Sequence, residues 1–184
     1  MQFPVAHPPE PAQLDNIKAQ LDLVLLALES LTGIGSEAML EAAAELKLTN
    51  IVADRVALWR LRQSSPLRKG KGRKRLDVDE ARSLVLITCH LASQQQELLR
   101  RAVALLERLT DEGQAPHRTA LLGDYLDTFS NTYEERMTLT PNDSPDHLTA
   151  LALKLLIDLF FYSAPNGSKR LWSTLLERSL TPTP

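Results

Sequence analysis

Residues 76–110 read LDVDEARSLVLITCHLASQQQELLRRAVALLERLT, and this stretch decides the fold. Asp77 and Glu80 stand three residues apart, the spacing of a capping box that begins a helix. Uncharged side chains then recur in alternating steps of four and three residues, which is one face of a helix. The row consists of Leu84, Thr88, Leu91, Gln95, Leu98, Ala102, Leu105 and Leu109. The pattern predicts one long helix to about Thr110, and a second apolar row beside the first predicts packing inside a bundle.

The residues just before this helix are unusually rich in positive charge. Six of the eight residues Arg68–Arg75 are Lys or Arg, and two glycines interrupt them. Because like charges repel and glycine adds chain entropy, residues 65–76 are predicted to form an exposed basic loop after Pro66 ends the preceding helix. Nine of the 21 Lys and Arg lie within residues 55–76, which contain no Asp or Glu. The rest of the chain has 12 basic and 23 acidic residues, so an acidic body carries one basic segment.

Towards the amino terminus, four prolines in residues 1–12 predict an irregular leader. A helix follows, ended by Gly33 in a left-handed cap. Its apolar face is formed by Leu14, Ile17, Leu21, Val24, Leu28 and Leu31. Ser36 is then predicted to cap a short helix that runs to about Lys47.

A third helix is predicted from about Thr49 to just before Pro66. Its core-facing side is expected to consist of Val52, Val56 and Trp59. Its arginines, among them Arg62, lead directly into the basic loop.

Beyond residue 110 the pattern stays helical. A helix is predicted to open at Pro116, and the apolar stretch Asp146–Tyr162 is predicted to lie at the centre of the bundle. A last helix is predicted over Ser168–Leu180, followed by a tail at 181–184. Since no stretch alternates with period two, no sheet is expected. The sequence therefore predicts an all-α fold, one domain over residues 13–180 built as an irregular bundle of about six or seven helices.

Five stretches together resemble an uncharacterised cyanobacterial protein family, a domain of unknown function. The resemblance spans about Leu14 to Leu180 and implies a cytosolic protein without an assigned activity. It implies no catalytic residues. The stretches are LDLVLLALESLTGIGSEAM, VALWRLRQSSPLRK, LDVDEARSLVLITCHLA, LLGDYLDTF and LKLLIDLFFYSAPNGSKRLW.

The residues suggest no catalytic, cofactor or metal site. Cys89 and His90 are adjacent, but neighbouring helical side chains point about 100° apart. Cys89 also falls in the second apolar row, which predicts a buried, inert thiol. Asp143, Asp146 and His147 cluster near a helix start, where carboxylates usually serve as caps. The expectation is a protein without enzymatic activity.

The basic loop is the strongest functional signal in the sequence. Concentrated positive charge attracts polyanions by releasing their counterions. Trp59 is the only nearby aromatic residue and is expected to pack inward, so binding should be largely independent of base sequence. The residues expected to contact the polyanion are Arg62, Arg68, Lys69, Lys71, Arg73, Lys74 and Arg75.

These residues favour a non-enzymatic adaptor that binds RNA or a ribonucleoprotein, ahead of an acidic protein surface. Anionic lipid headgroups are another ligand that these basic residues would attract. The simplest alternative is that the segment is only a solvated linker between two helices. A different alternative is a scaffold that acts through its helical surfaces, in which the basic loop docks on the acidic body of a second copy. This alternative allows a homo-oligomer.

The sequence also bears on the cell compartment. The amino terminus shows no secretory signal, and a single cysteine suits a reducing compartment. The most apolar stretch, Leu148–Tyr162, would span about 22 Å as a helix, short of a hydrocarbon core of about 30 Å. A cytoplasmic protein with no membrane span is expected.

Overall fold

The computed structural model describes residues 7–63, 76–95, 97–110, 152–154, 156 and 167–180. These residues form helices, turns and short connections, and none of them lies in a strand, so the predicted all-α class is confirmed. Residues 152–154 and 156 are also helical. The helices whose bounds fall inside the described ranges are α1 (Pro11–Thr32), α2 (Ser36–Glu45), α3 (Arg55–Gln63), α4 (Val78–Ser93), α5 (Leu98–Thr110) and α6 (Gly167–Leu180).

The apolar face predicted for α1 is buried in full and packs against α4, α5 and α6. The helix begins at Pro11, inside the predicted irregular leader. Proline fits the first helical turn because its missing N–H would have no partner there. The Glu10 N–H donates to Gln13 Oε1 at 2.7 Å and fixes this start. Gly33 ends α1 as predicted, with φ at 71° and its N–H donated to Glu29 O.

The capping box predicted for α4 is confirmed. Glu80 N–H donates to Asp77 Oδ1 at 2.8 Å, and Asp77 N–H donates to Glu80 Oε2 at 3.0 Å. Leu76, just before the cap, is buried in the core. The end of the basic segment is thereby attached to the folded body.

The single long helix predicted over residues 77–110 is wrong, because it breaks into α4 and α5 after Ser93. Three consecutive glutamines occupy positions 94–96, and they offer no apolar side chain to hold the helix on the core. Ser93 Oγ donates to the His90 carbonyl, and Gln95 N–H bonds back only three residues, to Ala92 O. Beyond the break, Arg101 Nη1 donates to Leu31 O at 2.6 Å and holds α5 against the end of α1.

The region between α2 and α3 also differs from the prediction. Gly35, rather than Ser36, occupies the cap position of α2. Lys47 adopts a left-handed φ of 58° after the helix ends. A turn follows, and α3 begins at Arg55 instead of about Thr49, since Asp54 Oδ1 accepts the Ala57 N–H at 2.8 Å and caps the new helix.

Ala152, Leu153 and Leu156, from the helix predicted at the centre of the bundle, are fully buried. Lys154 of the same helix is exposed. The rest of that helix, the helix predicted to open at Pro116 and the tail at 181–184 lie outside the described residues. No single helix in the described ranges is long and apolar enough to cross a membrane. Only α1 and α2 taken together meet that test, and they are bent by 112°.

Candidate functional site

Helix α3 has a buried face and an exposed face, and the two are the reverse of the prediction. Leu58 and Leu61 are buried, whereas Val56 is 55% exposed and Trp59 is 61% exposed. The expectation that Val56 and Trp59 pack inward is therefore wrong. It assumed one helix through Val52, which is indeed buried, but the break before Arg55 changes the orientation of the residues that follow.

We call Arg55, Val56, Trp59 and Arg60 the outer face of α3. All four are exposed, and at about 100° per residue they lie within about 140° of the helix circumference, on one side of α3. The Arg60 side chain makes no ion pair or hydrogen bond within the part of the chain that the structure describes. Arg55 pairs with Glu37, but both side chains are largely exposed, and such surface pairs contribute about 0–1 kcal/mol. Two arginines therefore flank an exposed indole.

Exposure of Trp59 has a measurable energetic consequence. A buried tryptophan removes about 150–250 Å² from water, at about 25 cal/mol per Å². With 61% of the residue exposed, about 2–4 kcal/mol of burial free energy is not gained on folding. An aromatic ring held in this way is available for a ligand.

Arg62 was predicted to contact the polyanion, but it does not lie on an exposed surface. Its side chain is 8% exposed, and Nη1 lies 2.5 Å from Glu29 Oε1 on α1. The charge of Arg62 is therefore neutralised inside the fold, and we remove it from the candidate site.

A buried ionic cluster formed by Lys18, Asp22, Glu29 and Arg62 joins α3 to α1. Lys18 Nζ and Asp22 Oδ1 are 2.6 Å apart with both side chains fully buried, and Lys18 Nζ also donates to the Arg62 carbonyl at 3.2 Å. These contacts hold the inner side of α3, which leaves its outer face turned to solvent.

The other six predicted contact residues, Arg68, Lys69, Lys71, Arg73, Lys74 and Arg75, lie outside the described residues. The structure does describe the residues on either side of this segment. The segment leaves the end of α3 at Gln63 and returns to the core at Leu76. It is thus continuous in sequence with the helix that carries Trp59 and Arg60.

Cys89 is half-buried and packs against the core, which falls short of the predicted full burial. Burial raises the pKa of Cys89 to about 12, so the thiol stays protonated at neutral pH and is a poor nucleophile. His90 Nε2 lies 2.7 Å from Glu45 Oε2 on α2 and is engaged there. Among the described residues no three His, Cys, Asp or Glu are grouped to hold a metal ion, while Asp143, Asp146 and His147 lie outside them.

Sequence reasoning missed the outer face of α3 although a signal for it was present. Asp54, three residues before Ala57, is a cap residue that marks a helix start at Arg55. From that start the apolar pair Leu58 and Leu61 forms the inner face. Trp59 then falls on the outside.

A family model described as "Protein of unknown function (DUF3038)" matches residues 14–177. No curated protein and no solved structure matches the chain.

Proposed function

The chain belongs to this family of unknown function, as its resemblance indicated, and from its own residues we propose a non-enzymatic adaptor that binds RNA or a ribonucleoprotein. The observation that carries the proposal is the run of six basic residues in Arg68–Arg75, in a chain whose remainder is acidic. Arg60 supports it, because an exposed guanidinium without a described partner lies on the helix that leads into this run.

The physical basis is the release of counterions. Each phosphate that a Lys or Arg neutralises on a single strand lowers the slope of log K against log salt by about 0.7. Six contacts correspond to a slope of about −4, and affinity then falls about 250-fold between 50 and 200 mM salt. The acidic remainder of the chain repels the same polyanion, which directs it to the basic segment.

A cytoplasmic location is part of the same proposal, since the single cysteine suits a reducing compartment. The cyanobacterial origin that the resemblance implies also remains an expectation.

The test is a fluorescence anisotropy titration of a labelled 20-nucleotide single-stranded RNA at 50 mM KCl. Replacing Arg73, Lys74 and Arg75 by Gln should weaken binding at least tenfold, because three phosphate contacts are lost. The matched control replaces Lys47, Arg100 and Lys154 by Gln, which removes the same charge from exposed positions elsewhere. The control should change affinity less than about twofold.

A labelled poly-glutamate of similar length separates RNA from an acidic protein surface. The proposal expects weaker binding of poly-glutamate than of RNA. It is contradicted if RNA does not bind, if both triple variants bind alike, or if poly-glutamate binds as tightly as RNA.

A further inference from the structure

We infer that the outer face of α3 stacks an unpaired base of single-stranded nucleic acid on Trp59. The inference rests on the proposed function and adds a ligand class to it, because stacking requires a base that is free of a duplex. It uses only Arg55, Val56, Trp59 and Arg60, all of which the structure describes.

The two tryptophans of the chain have opposite environments. Trp172 is fully buried, and the guanidinium carbon of Arg82 lies 5.4 Å from its ring centroid. Trp59 is 61% exposed on a helix whose other side is fixed in the core by Leu58 and Leu61. A tryptophan on a fixed helix can offer its ring to a base without rearrangement of the backbone.

The charges around Trp59 fit a nucleic-acid strand. Arg60 is the next residue, and Arg55 lies one turn before Trp59, so a phosphate on either side of a stacked base finds a guanidinium. The Arg55–Glu37 pair is solvent-exposed, and a phosphate can therefore replace Glu37 while that carboxylate is hydrated. Val56, one turn away on the same side, adds apolar contact for the base or sugar.

The small area of the face argues against two other occupants. A stable protein partner buries about 800 Å² on each side, whereas this face offers two apolar side chains. An interfacial membrane helix needs a continuous apolar face, and the apolar face of α3 is turned into the core. A nucleic-acid strand needs only one aromatic ring for each stacked base together with nearby cations.

The experiment compares a 10-nucleotide single-stranded DNA with an abasic strand of the same length, which has the same phosphates and no bases. Affinity is read by anisotropy. Quenching of tryptophan fluorescence by acrylamide, which is uncharged and so is not repelled by bound phosphates, reports Trp59 selectively because Trp172 is buried. Three further ligands are tested in the same way. They are RNA of the same sequence, a DNA duplex, and vesicles of phosphatidylserine and phosphatidylcholine.

The strand with bases should bind roughly tenfold more tightly than the abasic strand and should protect Trp59 from acrylamide. Trp59→Ala should remove this preference and leave affinity for the abasic strand unchanged, whereas Trp59→Phe should keep part of it. The duplex should give no protection. A circular dichroism spectrum confirms that each variant is folded.

Equal affinity for the abasic and base-containing strands, with Trp59 unprotected, overturns the inference and leaves the proposed function intact. Protection of Trp59 by vesicles but not by the strands also overturns it. If no nucleic acid binds, the inference and the proposed function fail together. Similar protection by RNA and DNA supports single strands in general, and stronger protection by RNA narrows the ligand to RNA.

Discussion

Lys18 and Asp22 form a fully buried ion pair one turn apart on α1, next to the backbone of α3. Removing one partner of such a pair leaves a buried charge and costs about 3–5 kcal/mol, whereas replacing both by apolar residues is often close to neutral. Lys18→Met should therefore lower the free energy of unfolding by about 3–5 kcal/mol in a urea titration.

The double variant Lys18→Met with Asp22→Leu is the matched control. It should recover most of the loss, with a residual of about 1 kcal/mol because the Arg62 carbonyl loses its donor. A double variant no more stable than Lys18→Met would show that the pair is not the source of the effect.

The half-buried thiol of Cys89 gives a prediction about pH. Its pKa is raised to about 12 from 9.0, so the folded chain keeps a proton that the unfolded chain loses above about pH 9. The free energy of unfolding should fall as pH rises through this window, by up to about 1.4 kcal/mol per pH unit, and be unaffected below it.

Urea titrations at pH 8, 9 and 10 measure this slope, and Cys89→Ala provides the comparison. The slope of the wild type should exceed that of the variant above pH 9. Equal slopes would mean that the thiol is not desolvated in the folded chain.

At the scale of the helix, the start of α4 was predictable and its end was not. A capping box depends on two side chains three residues apart, and both Asp77 and Glu80 are visible in the sequence. The break after Ser93 depends on how strongly α5 is held to α1, for instance through Arg101 and the Leu31 carbonyl. That contact joins residues 70 positions apart, so the three glutamines at 94–96 mark a weak point in the sequence but do not by themselves predict a break.

The prediction for the orientation of α3 was wrong for a related reason. A periodic row shows which residues share a face only if its helix is continuous, and the turn before Asp54 interrupts it. Trp59, the most informative residue of the candidate site, was therefore assigned to the wrong side. The charge of the basic segment needed no such assumption, because composition alone shows it.

The Asp77 cap allows a test of the α4 start. Asp77→Ala should lower the free energy of unfolding by about 1 kcal/mol, since the Glu80 N–H loses its acceptor. Asp79→Ala is the matched control, because Asp79 is exposed in the same turn and its side chain contributes mainly through the helix dipole, about 0.3–1 kcal/mol. Thermal denaturation of both variants at about 0.5 M NaCl, which screens the dipole contribution of Asp79 more than the Asp77 hydrogen bond, decides the point. Equal losses at this salt concentration would contradict the capping role.

At the scale of the whole molecule, the protein combines a helical body of net charge −11 with nine basic residues in residues 55–76. The buried cluster of Lys18, Asp22, Glu29 and Arg62 fixes α3 on one side of this basic region, and the Asp77 cap and buried Leu76 fix the other. Firm attachment at both ends means that changes to residues 68–75 should alter binding while leaving stability unchanged. The affinity of variants in this segment can therefore be compared with that of the wild type without a change in the fraction of folded protein.

The most direct measurement is the slope of log K against log salt for single-stranded RNA, from anisotropy titrations between 50 and 300 mM KCl. Replacing Arg73, Lys74 and Arg75 by Gln should make the slope shallower by about 2, which is three phosphate contacts at about 0.7 each. The Lys47, Arg100 and Lys154 variant should keep the wild-type slope. If the two triple variants have the same slope, the basic segment is not the RNA-binding element, and the central claim is wrong.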